Sequence, residues 1–271
     1  MRSPARALPP AAAPVALPVG RRPLRAPLAV VRRPPAAGLR ALTWPPAGAI
    51  VARALLAGIL GVLLVQPVFA LLVAQASVTL SVVDPPVTAL MLSRAATTGA
   101  PIRPLSFVSL ERLPWRAGAM FVAVEDTTFY RHDGIDLDAI REAVRLNREL
   151  GRIYYGGSTI TMQLARTLFL TPNRTYVRKY FEALAALTME LVLSKERILE
   201  LYVNTIEYGR GVYGIAAAAR HHYGRDPGRL TTDEYRRLVT IVASPLLYDV
   251  STFARRRALA ERYDFLLSVF P

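Results

Sequence analysis

From Ala54 to Ala74 the chain is apolar almost without a break: ALLAGILGVLLVQPVFALLVA is interrupted only by Gln66 and Pro67. About 20 such residues cross the hydrocarbon core of a bilayer as a helix, so a membrane anchor is predicted over residues 49–76. A cleavable signal peptide shares this pattern. Here the basic region ahead is long, the run exceeds the usual apolar core, and VAQAS (Val73–Ser77) is a weak cleavage site, which favours the anchor. SVTLSVVDPPV then alternates apolar with small polar residues before two prolines, predicting an extended connector within residues 77–104 and a folded domain over 105–271.

Within that domain the period is helical. An apolar run beginning near Ala117 ends at Glu125, and Asp136 or Asp138 can cap a helix through AIREAVRLNREL. GRIYYGG is a flexible break, after which Ser158 can cap STITMQLARTLFL, whose Ile160, Leu164 and Leu168 form an apolar stripe. A long helix is predicted from Tyr176 to Leu193. Another starts at Ser194, with Ile198, Leu199 and Tyr202 on one apolar face. No strand ladder or internal repeat is evident, and the fold class is mainly α.

Charge changes the picture on one point. The formal net charge of +14 calls for an anionic partner, nucleic acid or a membrane with its phosphorylated lipids. The positive charge is almost all arginine, Lys179 and Lys195 being the only lysines. Residues 1–48 hold eight arginines, many prolines and no acid, and such a segment is not expected to fold. The first acid, Asp84, follows the apolar run, so the positive-inside rule predicts a cytoplasmic N-terminus and an extracytoplasmic domain on a single-pass inner-membrane protein. That topology argues against nucleic acid. Cysteine is absent, which excludes disulfides, a thiolate nucleophile and cysteine-ligated zinc.

Two features carry candidate chemistry. Glu125 and Asp126 stand at the end of an apolar helix, where the macrodipole and burial disfavour a charged carboxylate. Thr159, Gln163 and Arg166 form a polar stripe beside the apolar one, behind Gly156 and Gly157, which permit close backbone approach. With the amides of a helix N-terminus and the guanidinium groups of Arg174 and Arg178, this reads as a pyrophosphate cradle.

Four stretches then occur in order: EDTTFYRHDG (Glu125–Gly134), GGSTITMQLAR (Gly156–Arg166), RKYFE (Arg178–Glu182) and KERILELYVNTIEYGRGVYGIAAAARHHYG (Lys195–Gly224). The series resembles the peptidoglycan glycosyltransferases of family 51, in the form of the monofunctional transglycosylases. The resemblance implies a lysozyme-like helical domain with a head and a membrane-associated jaw, the latter including RLNRELGRIYYGG. It implies polymerisation of lipid II by inverting transfer, with release of polyprenyl pyrophosphate and no organic cofactor. By motif, Glu125 corresponds to the general base, its basicity raised by its surroundings. Glu182 corresponds to a second carboxylate that serves the leaving pyrophosphate, through Mg²⁺ or Mn²⁺ or by orienting basic side chains. Ser158, Thr159, Gln163, Arg166, Arg174 and Arg178 become donor and phosphate contacts. Asp126, Phe129, His132, Gly134 and Gly157 shape the site, His132 as a structural histidine. The implied partners are lipid II, the growing strand, membrane lipids and other cell-wall synthesis or division proteins.

The chain departs from that family's pattern at Met162, at Arg166-Thr167, at Phe181 where a basic residue is usual, and in SPLLYDV (Ser244–Val250). No S-x-x-K tetrad occurs, which excludes penicillin-type acyl chemistry. A lysozyme-like hydrolase and a non-catalytic anchored scaffold remain as other readings.

Overall fold

The computed structural model describes residues 46–114, 116–152, 156–173 and 175–271. The leader predicted over residues 1–48 therefore lies almost wholly outside the described residues, as does Arg174.

Helix α1 runs from Ala47 to Leu80 as one piece of 34 residues, with Pro67 inside it. It is long and apolar enough to cross a membrane, and the leucines and valines of its first two thirds are exposed. Its last turns do something else. Val73, Ser77 and Leu80 are buried against the domain, and Arg197 donates to the carbonyls of Leu80 and Val83 and pairs with Asp84. A cation on the final carbonyls of a helix satisfies acceptors the helix cannot. The expected extended connector is thus replaced by order. α1 continues to Leu80, and α2 (Ala89–Thr98) follows, capped by Thr88, with Met91 buried and Arg94 paired to Glu207. The alternation that suggested an extended chain comes from α1's last turns, which pack one side on the domain.

The domain proper is built from α3 (Ala117–Glu125), α4 (Leu137–Glu149), α5 (Ile160–Phe169), α6 (Tyr176–Glu190), α7 (Lys195–Thr205), α8 (Ile215–Tyr223), α9 (Thr232–Ile241) and α10 (Arg257–Val269). α7 is the central post: Ile198, Leu199, Leu201, Tyr202 and Val203 are all buried. α5 lies between α6 and α7, and its stripe of Ile160, Leu164 and Leu168 is buried as the period predicts. α3 packs on α7, α9 and α10, which fixes where its C-terminal carboxylate emerges. The caps at Asp136 and Ser194 form as expected, whereas α5 is capped by Thr159 in place of Ser158.

One small hairpin interrupts the helices, β1 (Glu207–Gly209) against β2 (Val212–Tyr213). Strands this short carry no alternation, so the sequence gives no sign of them within a domain that is mainly α as expected. Just after the hairpin, Gly214 has φ +76°, and a Cβ there would lie 2.4 Å from the Asn204 carbonyl oxygen. Both the conformation and the contact demand glycine. Gly214→Ala is expected to cost about 2–3 kcal/mol, read as a lowered midpoint in thermal or urea unfolding.

Candidate active site

α3 ends at Glu125 because Asp126 leaves helical backbone, with φ −163° and ψ 77°. Its two final carboxylates have different fates. Asp126 is buried and occupied: Oδ2 accepts the Ile160 amide at 2.9 Å, and His132 Nε2 lies 3.0 Å from both oxygens. His132 Nδ1 accepts from the Gly134 amide, so the ring proton sits on Nε2 and points at Asp126. Both ring nitrogens of His132 thus have partners within the domain. Lys195 completes this layer, donating to the His132 carbonyl and to Glu190 and lying 4.6 Å from the centre of the Phe129 ring.

Glu125 instead opens into a cleft of about 210 Å³ that Ser158, Gly157, Thr128 and Asp136 also line. Gln163 Nε2 donates to its Oε2 at 2.8 Å, and Tyr202 donates to Gln163 Oε1 at 3.2 Å. Arg262 of α10 pairs with Oε1 and also donates to the carbonyls of Val124 and Val239, the former at 2.9 Å. The sequence showed only an apolar helix end that disfavours charge; the guanidinium adds a counter-charge to it. Sequence reasoning passed over Arg262 among the arginines of FARRRALAERYDF. A signal existed: Arg262 lies three residues after Leu259 and four before Leu266, both buried, on the inward side of α10.

The helix N-terminus expected to receive phosphate is already filled. Asp126 takes the Ile160 amide, and Thr159 Oγ1 accepts from Met162 N while donating to the Gly134 carbonyl at 2.6 Å. Thr159 is buried at the lining of the Glu125 cleft, with its hydroxyl engaged by both of these partners. Gly157 does allow a close approach, but to α4: a Cβ there would sit 2.7 Å from Ile140 Cα. Gly134, at φ +91°, is hemmed in the same way: a Cβ there would lie 3.0 Å from the Ala186 backbone.

The positive charge gathers on α6. Glu182 is fully buried and holds two cations, Arg178 one turn before it and Lys179 at 2.7 Å. Lys179 Nζ reaches on to Ser158 Oγ at 2.6 Å. Ser158 belongs to the Glu125 cleft, so Lys179 links the buried Glu182 to a residue of that cleft. Lys179, one of only two lysines in an arginine-rich chain, was the second residue missed. Arg166 is half-buried and makes no hydrogen bond or ion pair among the described residues.

A divalent ion at Glu182 fits these residues poorly. Both carboxylate oxygens are taken by nitrogen cations, and no three His, Cys, Asp or Glu side chains converge among the described residues. Phe181 has its own explanation: it packs edge-on against Phe69 of α1 at 4.9 Å between ring centres, beside a Tyr180–Gln66 hydrogen bond. The position faces the apolar helix rather than the groove, so a basic residue there would not have joined Arg178 and Lys179.

The family model for transglycosylases matches residues 97–269. The chain belongs to the transglycosylase family. The match takes in all of α10, and with it Arg262. Among relatives of this transglycosylase, the biosynthetic peptidoglycan transglycosylase of Burkholderia thailandensis is 39% identical over 197 residues, 67% of this chain and 77% of that protein. Those of Dechloromonas aromatica and Nitrosospira multiformis are 39% and 42% identical over 61% and 58% of this chain, and 71% and 67% of their own lengths. The resemblance read from four motifs therefore holds at the level of the family, and the transglycosylase is a glycosyltransferase by class.

Proposed function

We propose that the protein polymerises lipid II into linear peptidoglycan strands by inverting β-1,4 transfer. The acceptor's 4-hydroxyl is placed at Glu125 and the donor's pyrophosphate at Ser158, Lys179, Arg178 and Arg166. The acceptor oxygen forms a bond to the donor's anomeric carbon as the bond from that carbon to the pyrophosphate oxygen breaks. The hydroxyl proton passes to Glu125, and the polyprenyl pyrophosphate departs with the bonding pair. Negative charge grows on the leaving group, which preorganised cations stabilise most effectively in a site screened from water. Arg178 and Lys179 supply that charge, and Glu182 holds them in register.

One observation carries this reading: Glu125 and Ser158 line the same cleft, and Lys179 ties Ser158 to the buried Glu182. The link supports a base and a leaving-group site that share one substrate. A hydrolase would have no use for the cations, since its leaving group is a sugar hydroxyl. The names of the relatives support the peptidoglycan substrate, and the arginines ahead of α1, with Asp84 as the first acid, support a domain outside the cytoplasmic membrane.

The test is purified full-length protein incubated with labelled lipid II. Long glycan strands and free polyprenyl pyrophosphate are expected. Shortened glycans released from mature wall would make it a hydrolase, and no turnover of either substrate would leave a scaffold. Because side-chain cations occupy Glu182, chelation with EDTA is expected to slow polymerisation by less than about tenfold, measured as initial rate of strand formation.

A further inference from the structure

The catalytic carboxylate is gripped by an amide whose own direction needs explaining. Gln163 reaches Glu125 Oε2 with Nε2, not with Oε1. An amide can turn over at almost no steric cost, so something must decide which end faces the base. With an ionised carboxylate on one side, the N–H end is favoured there. The other end then needs a donor, and in this interior the donor is the hydroxyl of Tyr202, at 3.2 Å from Oε1.

Tyr202 is fully buried in the middle of α7 and seated edge-on against Phe121. Burial, reinforced by the Glu125 charge, pushes its phenol well above its ordinary value. The hydroxyl therefore keeps its proton throughout the working range and remains a donor. Its apolar ring made it look like core in the sequence, and it is core. Its oxygen does further work.

Resting on the reading of Glu125 as the base, we propose that Tyr202 is a positioning residue for catalysis, which acts through Gln163 by locking the amide so that its N–H end holds the ionised carboxylate. The other groups around that carboxylate do not replace this function. Arg262 of α10 engages the opposite oxygen, and α9 contributes the Val239 carbonyl to Arg262. Asp126 on α3's end is satisfied by His132 and the Ile160 amide, Tyr208 of β1 bonds the Val203 carbonyl, and Arg166 of α5 bears on Tyr202 only at long range. Without the phenol, Gln163 Oε1 loses its donor in a partly buried place, and the amide is free to rotate away from Glu125.

The experiment is a double-mutant cycle of Tyr202→Phe and Gln163→Ala, measured by lipid II polymerisation across pH. Tyr202→Phe keeps the ring and its contact with Phe121. It is expected to lower kcat about five- to tenfold with KM within about twofold. The acidic limb of its kcat/KM profile should move to higher pH, because a hydrogen bond favouring the charged base has been lost. Gln163→Ala should move that limb in the same direction, and adding Tyr202→Phe to it should change kcat no further. Penalties that multiply, or an acidic limb that stays in place in Gln163→Ala, would overturn the assignment. The second outcome decides the matter even where Tyr202→Phe folds poorly. Wild-type protein that makes no polymer would instead defeat the proposed function itself, so the two failures are told apart.

Discussion

Glu125→Gln is expected to abolish strand formation, lowering kcat by at least about 10³-fold. The substitution removes a carboxylate of the cleft that Gln163 and Arg262 hold, one on each oxygen, and an amide oxygen cannot take a proton from a sugar hydroxyl at neutral pH. It also leaves the Arg262 guanidinium, only 15% exposed, without its counter-charge. Arg262 retains its bonds to the Val124 and Val239 carbonyls, so the fold should survive with a loss of about 1–3 kcal/mol. Circular dichroism and a thermal midpoint check the fold, and retained binding of labelled lipid II separates lost chemistry from lost affinity. Strand formation at an undiminished rate in this variant would remove Glu125 from the mechanism.

The place of Glu125 at a helix end was legible in the sequence because everything defining it is local. The apolar run from Ala117, its end at Glu125 and the motif around it lie within a few residues, and the structure reproduces them. The periodic stripes of α5 and α7 were legible for the same reason. The partners of Glu125 were not. Arg262 comes from 137 residues further along and Tyr202 acts through Gln163, and no single-chain pattern links positions so distant. Within the predicted cradle, the helix N-terminus was misread because a free helix N-terminus and one already capped look alike in sequence. Asp126, 34 residues upstream, is what fills it. The connector failed by a related route: α2 exists because Met91, Thr88 and Arg94 find partners in the domain, and propensity alone does not reveal that.

Glu182→Ala is expected to injure both the fold and the reaction, and the way it does so tests its role. Its carboxylate is fully buried with both oxygens engaged, so it cannot touch substrate without giving up Arg178 or Lys179. It must act through those cations. Deleting one side of a buried ion pair costs about 3–5 kcal/mol, because the remaining charge is stranded. Here Lys179 is 40% exposed and can turn to water, which places the loss near the lower end, about 3 kcal/mol. Arg178, 14% exposed, has less freedom and accounts for most of it. On the reaction, the cations persist but drift, so kcat should fall by about 10²-fold while donor KM changes little. Lys179→Met removes a charge rather than its anchor. It should raise donor KM as well as lower kcat, with a smaller loss of stability. Urea unfolding and steady-state kinetics on both variants measure the four quantities. The reverse pattern, with Glu182→Ala raising KM and Lys179→Met leaving it alone, would mean that the carboxylate meets the donor itself.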